Sequence, residues 1–112
     1  MSSTEKEAPR IAALDAATAV LEGSLGVIEG CRRLRELGDD LVPDSRDDTD
    51  FVIFIAVDSE TDALPTGTAR ELWDPAALAR EDREIQRAEA MYRESVMSAC
   101  QRVIKRFGKA RF

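Results

Sequence analysis

The chain has 112 residues, of which 44% are hydrophobic but only 5% aromatic, and its formal net charge is −6. This length predicts one domain, and an Ala-rich, aromatic-poor composition favours closely packed helices over a sheet core. The acidic balance argues against nucleic-acid binding, which needs a basic face. The absence of histidine excludes His-based catalytic triads and His metal sites.

Compartment and redox state are predicted from two simple features. The stretch MSSTEKEAPR has no apolar segment of the kind found in signal peptides, and the apolar run at residues 51–57 is too short to span a membrane. We therefore expect a cytoplasmic protein without membrane contact. Cys31 and Cys100 stand apart in helical patterns, so both are expected to be small buried residues rather than a disulfide or a nucleophile.

The first third of the chain carries helical signals. Residues 1–8 are polar and are expected to be disordered. Apolar residues then recur at spacings of three and four, which predicts a helix over about 9–22 that Gly23 ends. A second helix, antiparallel to the first, is predicted over about 24–37 with Ser24 as its N-cap.

Two glycines, Gly26 and Gly30, lie four positions apart on one face of the second predicted helix. A glycine in a helix interior costs about 1 kcal/mol relative to alanine, so the pair indicates that a neighbouring helix packs closely there. A phosphate site is the functional alternative, but the chain lacks the spacing of a glycine-rich phosphate loop.

The segment 38–50, GDDLVPDSRDDTD, is rich in aspartate and contains Pro43, which predicts an acidic loop. The run FVIFIAV after it has strand propensity, but the chain offers no second strand to pair with it. Because a helix satisfies its own backbone, we predict a short central helix over about 50–63, capped by Thr49 or Asp50. A strand paired with its copy in a dimer is the alternative.

The last element is a long helix predicted over about 74–107, after a break at Pro65–Thr68. Asp74 suits the N-cap and Pro75 suits the first helical position. Large apolar residues concentrate in the second half of this helix. That half is expected to lie in the core, while the first half projects or meets a partner. The predicted fold class is an all-α small helical bundle.

Acidic residues concentrate between Asp39 and Asp62, where nine carboxylates accompany one base, Arg46. Such a segment is typical of a solvated surface that maintains solubility, or of a recognition surface for a basic protein partner. The second interpretation defines the candidate partner-binding residues: Asp44, Asp47, Asp48, Asp58, Glu60, Asp62 and, further along the chain, Trp73.

A metal or acid–base site is the third interpretation of the acidic segment. In DSETD, Asp58 and Asp62 share a helical face whereas Glu60 points away, so the three cannot ligate one ion from a regular helix. The spacing of a calcium loop is also missing. A metal held by Asp58, Asp62 and a carboxylate of the long helix, such as Glu84, is the remaining option. We predict no metal, no cofactor and no catalytic residue.

Trp73 is the only tryptophan and comes just before the Asp74-Pro75 cap. Such a residue can staple the incoming chain onto the first turns of the helix. The alternative is an exposed anchor that enters a pocket of a partner.

The combination of DSETDALP with ELWDPAAL, followed by a long charged helix, resembles a family of small bacterial proteins known as a domain of unknown function. The resemblance extends over about residues 11–107 and transfers no catalytic residue. Where that pattern has a histidine before Leu-Pro, this chain has Ala63. In size, acidity and lack of catalytic groups the chain is also similar to bacterial immunity proteins, which block a toxin by binding it.

These observations predict a non-enzymatic, cytoplasmic protein that binds a basic protein partner, such as an immunity protein that occludes a toxin. One alternative is a self-associating structural protein that forms a homodimer through the sparse half of the long helix. The other is a carboxylate–metal enzyme.

Overall fold

The computed structural model describes residues 3–64 and 71–108. These residues form four helices and contain no strand: α1 (Ser3–Glu22), α2 (Val27–Leu41), α3 (Val52–Thr61) and α4 (Pro75–Gly108). The prediction of an all-α bundle with two N-terminal helices, a short central helix and a long C-terminal helix is confirmed. None of the helices in the described residues combines the length and apolarity that a membrane span requires.

The turn between α1 and α2 differs from the prediction in its capping. Gly23 ends α1 in a left-handed conformation with φ 84°, as expected. Ser24 is not the cap of α2, because its hydroxyl donates to the carbonyl of Ala19 at 3.3 Å. Helix α2 begins at Val27 after Gly26, which provides no side-chain cap. At the other end, α1 begins at Ser3 rather than at residue 9.

The predicted disorder of residues 1–8 is wrong for residues 3–8, which form the first turns of α1, and Met1 and Ser2 lie outside the described residues.

Helices α1 and α2 are antiparallel and approach each other closely at Gly30. A Cβ atom at Gly30 would lie 2.3 Å from Cγ2 of Val20, so only glycine allows this approach. The same pair of helices is joined at its other end, where Lys6 Nζ donates to the carbonyl of Leu41 at 3.4 Å. The close-packing interpretation of Gly30 is confirmed. Gly26 is the N-cap residue of α2 and lies against α4, where a Cβ atom would be 3.3 Å from Oε2 of Glu89.

Helix α2 extends to Leu41, four residues beyond its predicted end. The predicted loop at 38–50 is therefore wrong in its first part, and the connection runs from Val42 to Phe51. The reason is tertiary: the ring of Phe51 lies on Gly38, where a Cβ atom would be 2.6 Å from Cδ1 of Phe51. Gly38 stays helical because its missing side chain makes room for that ring.

The apolar run forms α3, so the helix prediction is confirmed. Phe51 is the N-cap residue and provides no side-chain cap, so neither Thr49 nor Asp50 acts as predicted. The carbonyl of Asp48 instead accepts from the N–H groups of Phe51 at 3.1 Å and Val52 at 3.0 Å.

Helix α3 fills the bundle with its aromatic residues. Phe51 and Phe54 are both fully buried, and the ring of Phe51 packs edge-to-face on Phe54 at 5.8 Å and on Phe107 at 6.0 Å between centroids. Aromatic residues of this size dominate core energetics, so α3 holds α2 and the end of α4 together.

Helix α4 has 34 residues and is therefore about 51 Å long, matching the 50 Å longest dimension of the molecule. Asp74 caps it as predicted, with Oδ1 accepting from the N–H of Ala76 at 2.9 Å. Its buried residues all lie in the second half, as predicted: Val96, Ala99, Cys100 and Val103. Arg10 Nη1 donates to the carbonyl of Phe107 at 3.1 Å, so α1 begins where α4 ends.

Cys31 and Cys100 are both unpaired and fully buried, as expected. Burial raises the pKa of the Cys31 thiol to about 12, with smaller contributions from Cys100 and Asp58. Burial likewise raises the pKa of Cys100 to about 11. Neutral thiols are poor nucleophiles, so the two cysteines serve as small apolar core residues.

Candidate partner-binding site

Two carboxylates of the acidic segment are engaged within the molecule. Asp48 accepts two hydrogen bonds from Arg106 Nη1, at 3.0 and 2.9 Å, and Asp50 accepts one from Arg102 Nε at 3.0 Å. Arg106 also reaches Asp50 at 3.0 Å. Partial burial lowers the pKa of Arg106, but the hydrogen bonds to Asp48 and Asp50 outweigh this and the pKa is raised. This group of four residues fastens the α2–α3 connection to the last turns of α4.

Asp58 is engaged as well. Its carboxylate lies 3.4 Å from Arg32 Nε and 3.4 Å from Arg35 Nε, both on α2. Arg32 also donates to the carbonyls of Thr61 and Leu64, the latter at 3.0 Å. These contacts hold the C-terminal end of α3 against α2, which makes α3 antiparallel to α2.

The remaining predicted carboxylates face solvent. Asp44, Asp47, Glu60 and Asp62 are exposed, and none of them forms an ion pair within residues 3–64 and 71–108. The negative surface that can meet a partner is therefore smaller than the sequence indicates. Of the six predicted carboxylates, the structure leaves four available and uses Asp48 and Asp58 internally.

The metal-site interpretation finds no geometric support in the described part of the chain. There, no three Asp, Glu or Cys residues come close enough together to hold one ion. Asp58, which that site would need, instead contacts two arginines of α2.

Trp73 is 36% exposed, and its neighbour Leu72 is 89% exposed. Both lie just before the first half of α4, and that half of the helix contains no buried residue. Trp73 is thus accessible to a partner, and its role as an anchor stays a prediction.

A cleft opens between the C-terminal end of α3 and the first half of α4. Its volume is about 280 Å³, and its lining residues are Glu60, Thr61, Ala63, Leu64, Glu84, Arg87, Ala88, Met91 and Tyr92. Met91 is 69% exposed at this cleft. The Tyr92 hydroxyl forms no hydrogen bond to another described residue, which leaves it able to bond a ligand.

The cleft combines apolar walls with a negative edge. Glu84 is ion-paired to Arg87 at 2.8 Å, whereas Glu60 has no ion pair among the described residues. The C-terminal end of α3 also lies here, and its carbonyl groups at Thr61 and Leu64 are bound by Arg32. Ala63 lines the same cleft.

Several of these residues could not be found from the sequence. Arg102 and Arg106 are more than fifty positions from the aspartates that they bind, and no periodicity links them. Met91 and Tyr92 could have been noticed in the sequence. They are two adjacent large side chains in a stretch of the long helix whose other residues are mostly small or charged. Their proximity to α3 required the fold.

The fold and this surface define a small all-α bundle protein with an acidic, partly apolar cleft. A family model described as "Protein of unknown function (DUF2489)" matches residues 6–103. Since the match covers most of the chain, the chain belongs to that family, and the predicted resemblance to a family of unknown function is confirmed. Neither the curated proteins nor the solved structures contain a match.

Proposed function

We propose that this chain is a non-enzymatic, cytoplasmic protein that binds a basic protein partner, as an immunity protein does when it occludes a toxin. The observation that carries the proposal is the division among its carboxylates. Asp48 and Asp58 are bound by arginines of the same chain, while Asp44, Asp47, Glu60 and Asp62 remain exposed without an ion pair among the described residues. Exposed charges of one sign accelerate association with an oppositely charged surface.

The first test is capture from a lysate of the native organism at low salt, with mass spectrometry of the bound proteins. We expect one stoichiometric partner with a basic surface. Recovery of the bait alone would count against the proposal.

The second test measures association rates with that partner as a function of salt. A variant carrying Asp44→Asn, Asp47→Asn, Glu60→Gln and Asp62→Asn removes the four exposed carboxylates. We expect slower association and a flatter salt dependence, since long-range attraction is lost. The matched control neutralises four exposed carboxylates outside the acidic segment: Asp15, Glu22, Glu36 and Glu94. Equal effects of the two variants would show that net charge, not this surface, governs binding.

A second candidate is self-association through the first half of α4. It is favoured by the absence of any buried residue between Pro75 and Ser95 and by the exposure of Leu72 and Met91. Multi-angle light scattering over a wide concentration range tests it. A dimer whose mass does not change with concentration would favour self-association, and a monomer would exclude it.

A further inference from the structure

We propose that the cleft between α3 and α4 is an anchor pocket for one apolar side chain of a protein partner. In the partner, a cationic residue lies next to that apolar side chain. This inference rests on the proposed protein-binding function and names the part of the partner that is recognised.

The size of the cleft fits a single side chain. Pockets for drug-sized ligands are roughly 300–1,000 Å³, and this cleft, at about 280 Å³, is just below that range. Its walls are the apolar atoms of Ala63, Leu64, Ala88, Met91 and Tyr92. One buried aliphatic or aromatic group matches this space, and such groups are the usual hot spots of protein interfaces.

Met91 supports a binding role because its side chain is 69% exposed although it is large and apolar. A flexible thioether adapts to the shape of an incoming group, and methionine is enriched at binding surfaces for that reason. Tyr92 beside it offers an apolar ring and a hydroxyl that is not used within the described residues.

The charges at the edge of the cleft select a cationic neighbour. Glu60 lines the cleft and Asp62 lies two positions further on, and neither has an ion pair among the described residues. The nearest base lining the cleft, Arg87, is already paired with Glu84 at 2.8 Å. The negative charge of the edge comes from Glu60 and Asp62, because Arg32 already binds the carbonyl groups at the C-terminal end of α3. An apolar residue next to arginine or lysine therefore complements both the walls and the edge.

A second copy of this chain fits the cleft less well through Leu72, which is the most exposed apolar residue of the described part of the chain, at 89%. In the sequence Leu72 lies between Arg70-Glu71 and Trp73-Asp74, so two carboxylates accompany one arginine there. Those carboxylates would face Glu60 and Asp62, and repulsion between like charges disfavours the contact.

The test is an NMR titration at low salt, in which the methyl groups of Ala63, Ala88 and Met91 report on the cleft. The probes are three tripeptides, acetyl-Arg-Leu-Arg-amide, acetyl-Arg-Ala-Arg-amide and acetyl-Glu-Leu-Glu-amide. We expect the first to saturate the three methyl shifts with a Kd of roughly millimolar size. Removing the leucine should weaken binding about tenfold, and reversing the charges should weaken it several-fold.

A variant pair provides the matched control. Ala88→Leu places extra volume in the cleft, whereas Ala90→Leu adds the same atoms two positions away, at an exposed residue outside the cleft lining. Leucine and alanine are both good helix formers, so both variants keep the helix. We expect Ala88→Leu to abolish saturation by the Arg-Leu-Arg peptide and Ala90→Leu to leave it unchanged.

Three outcomes would overturn the anchor pocket. One is the absence of saturable shifts in the wild-type protein. Another is equal binding of all three peptides. The third is methyl shifts in the cleft that change with protein concentration without peptide, which would identify a second copy as the occupant. None of these affects the association-rate experiment on the four exposed carboxylates, so the pocket can fail while the proposed function stands.

Discussion

In α4, residues 96–108 contribute Val96, Ala99, Cys100 and Val103 to the core, whereas residues 75–95 contribute no fully buried side chain. The second half is held by burial of apolar surface. The first half depends on its Asp74 cap, on the local ion pair between Glu84 and Arg87, and on one hydrogen bond that Glu89 accepts from α2. One unbroken helix thus joins a part that stabilises the fold to a part whose surface is available for binding.

The comparison is tested most strongly by placing a charge in each half. Val103→Asp puts a carboxylate where no polar partner exists, and we expect it to destabilise the protein by about 4 kcal/mol or more. Met91→Asp, in the exposed half, should change the free energy of unfolding by no more than about 0.5 kcal/mol. Urea denaturation followed by circular dichroism measures both. Similar values for the two variants would contradict the division of α4.

The buried thiols, Cys31 on α2 and Cys100 on the second half of α4, give the core a pH dependence. The folded-state pKa values of Cys31 and Cys100, about 12 and about 11, lie above the 9.0 of an unperturbed thiol. Unfolded thiols therefore ionise first, and ionisation favours the unfolded state. We expect the thiol contribution to stability to be complete below pH 9.0 and to fall as the pH rises towards about 11 for Cys100 and about 12 for Cys31.

A double variant, Cys31→Ala with Cys100→Ala, is the control because it removes both thiols and keeps all other groups that titrate at basic pH. Its stability should fall less steeply than that of the wild type between those pH values. Parallel curves would show that the thiols do not contribute.

Glu89 is the hydrogen-bond link between the exposed half of α4 and α2, since its Oε2 accepts from the N–H of Val27 at 2.9 Å. It fills the place of the side-chain cap that Gly26 lacks. Glu89→Ala should cost about 1 kcal/mol, as the loss of an N-cap does. Glu94→Ala, which removes an exposed carboxylate of the same helix, should be nearly neutral. If the two variants had equal stability in urea denaturation, Glu89 would not act as a cap.

The smallest expected effect comes from the arginines of the two halves. Arg106→Gln breaks the contacts to Asp48 and Asp50 and should cost about 0.5–1 kcal/mol, less at high salt. Arg87→Gln breaks a local pair of exposed groups and should cost less than about 0.5 kcal/mol. Thermal unfolding at low and high salt compares them. A salt-independent loss for Arg106→Gln would mean that its alkyl chain, not its charge, stabilises the connection.

The existence of each helix could be predicted from the sequence because apolar spacing is a local signal, whereas among the predicted caps only that of Asp74 is formed. The helix at residues 52–61 was predictable despite its strand propensity, since an unpaired strand would leave its backbone groups unsatisfied. The end of α2 was not, because Gly38 and Asp39 look like loop residues until the ring of Phe51 is placed on Gly38.

The candidate site was less predictable than the fold. The excess of acidic residues between Asp39 and Asp62 is visible in the sequence. The ion pairs with arginine that neutralise some of these carboxylates are not. The arginines that bind Asp48 and Asp50 come from the last turns of α4, and those that bind Asp58 come from α2. Only the packing of the helices decides which carboxylates stay exposed.

The hydrogen bond from Arg10 to the carbonyl of Phe107 makes the first turns of α1 and the last turn of α4 neighbours. Chains in which such ends meet tolerate circular permutation. A short linker from the end of α4 to the start of α1, with new termini opened in the turn between Gly23 and Gly26, would reorder the helices as α2, α3, α4 and α1. We expect every pair of packed helices to be kept, in which case the bundle would not depend on the order in which its helices are synthesised.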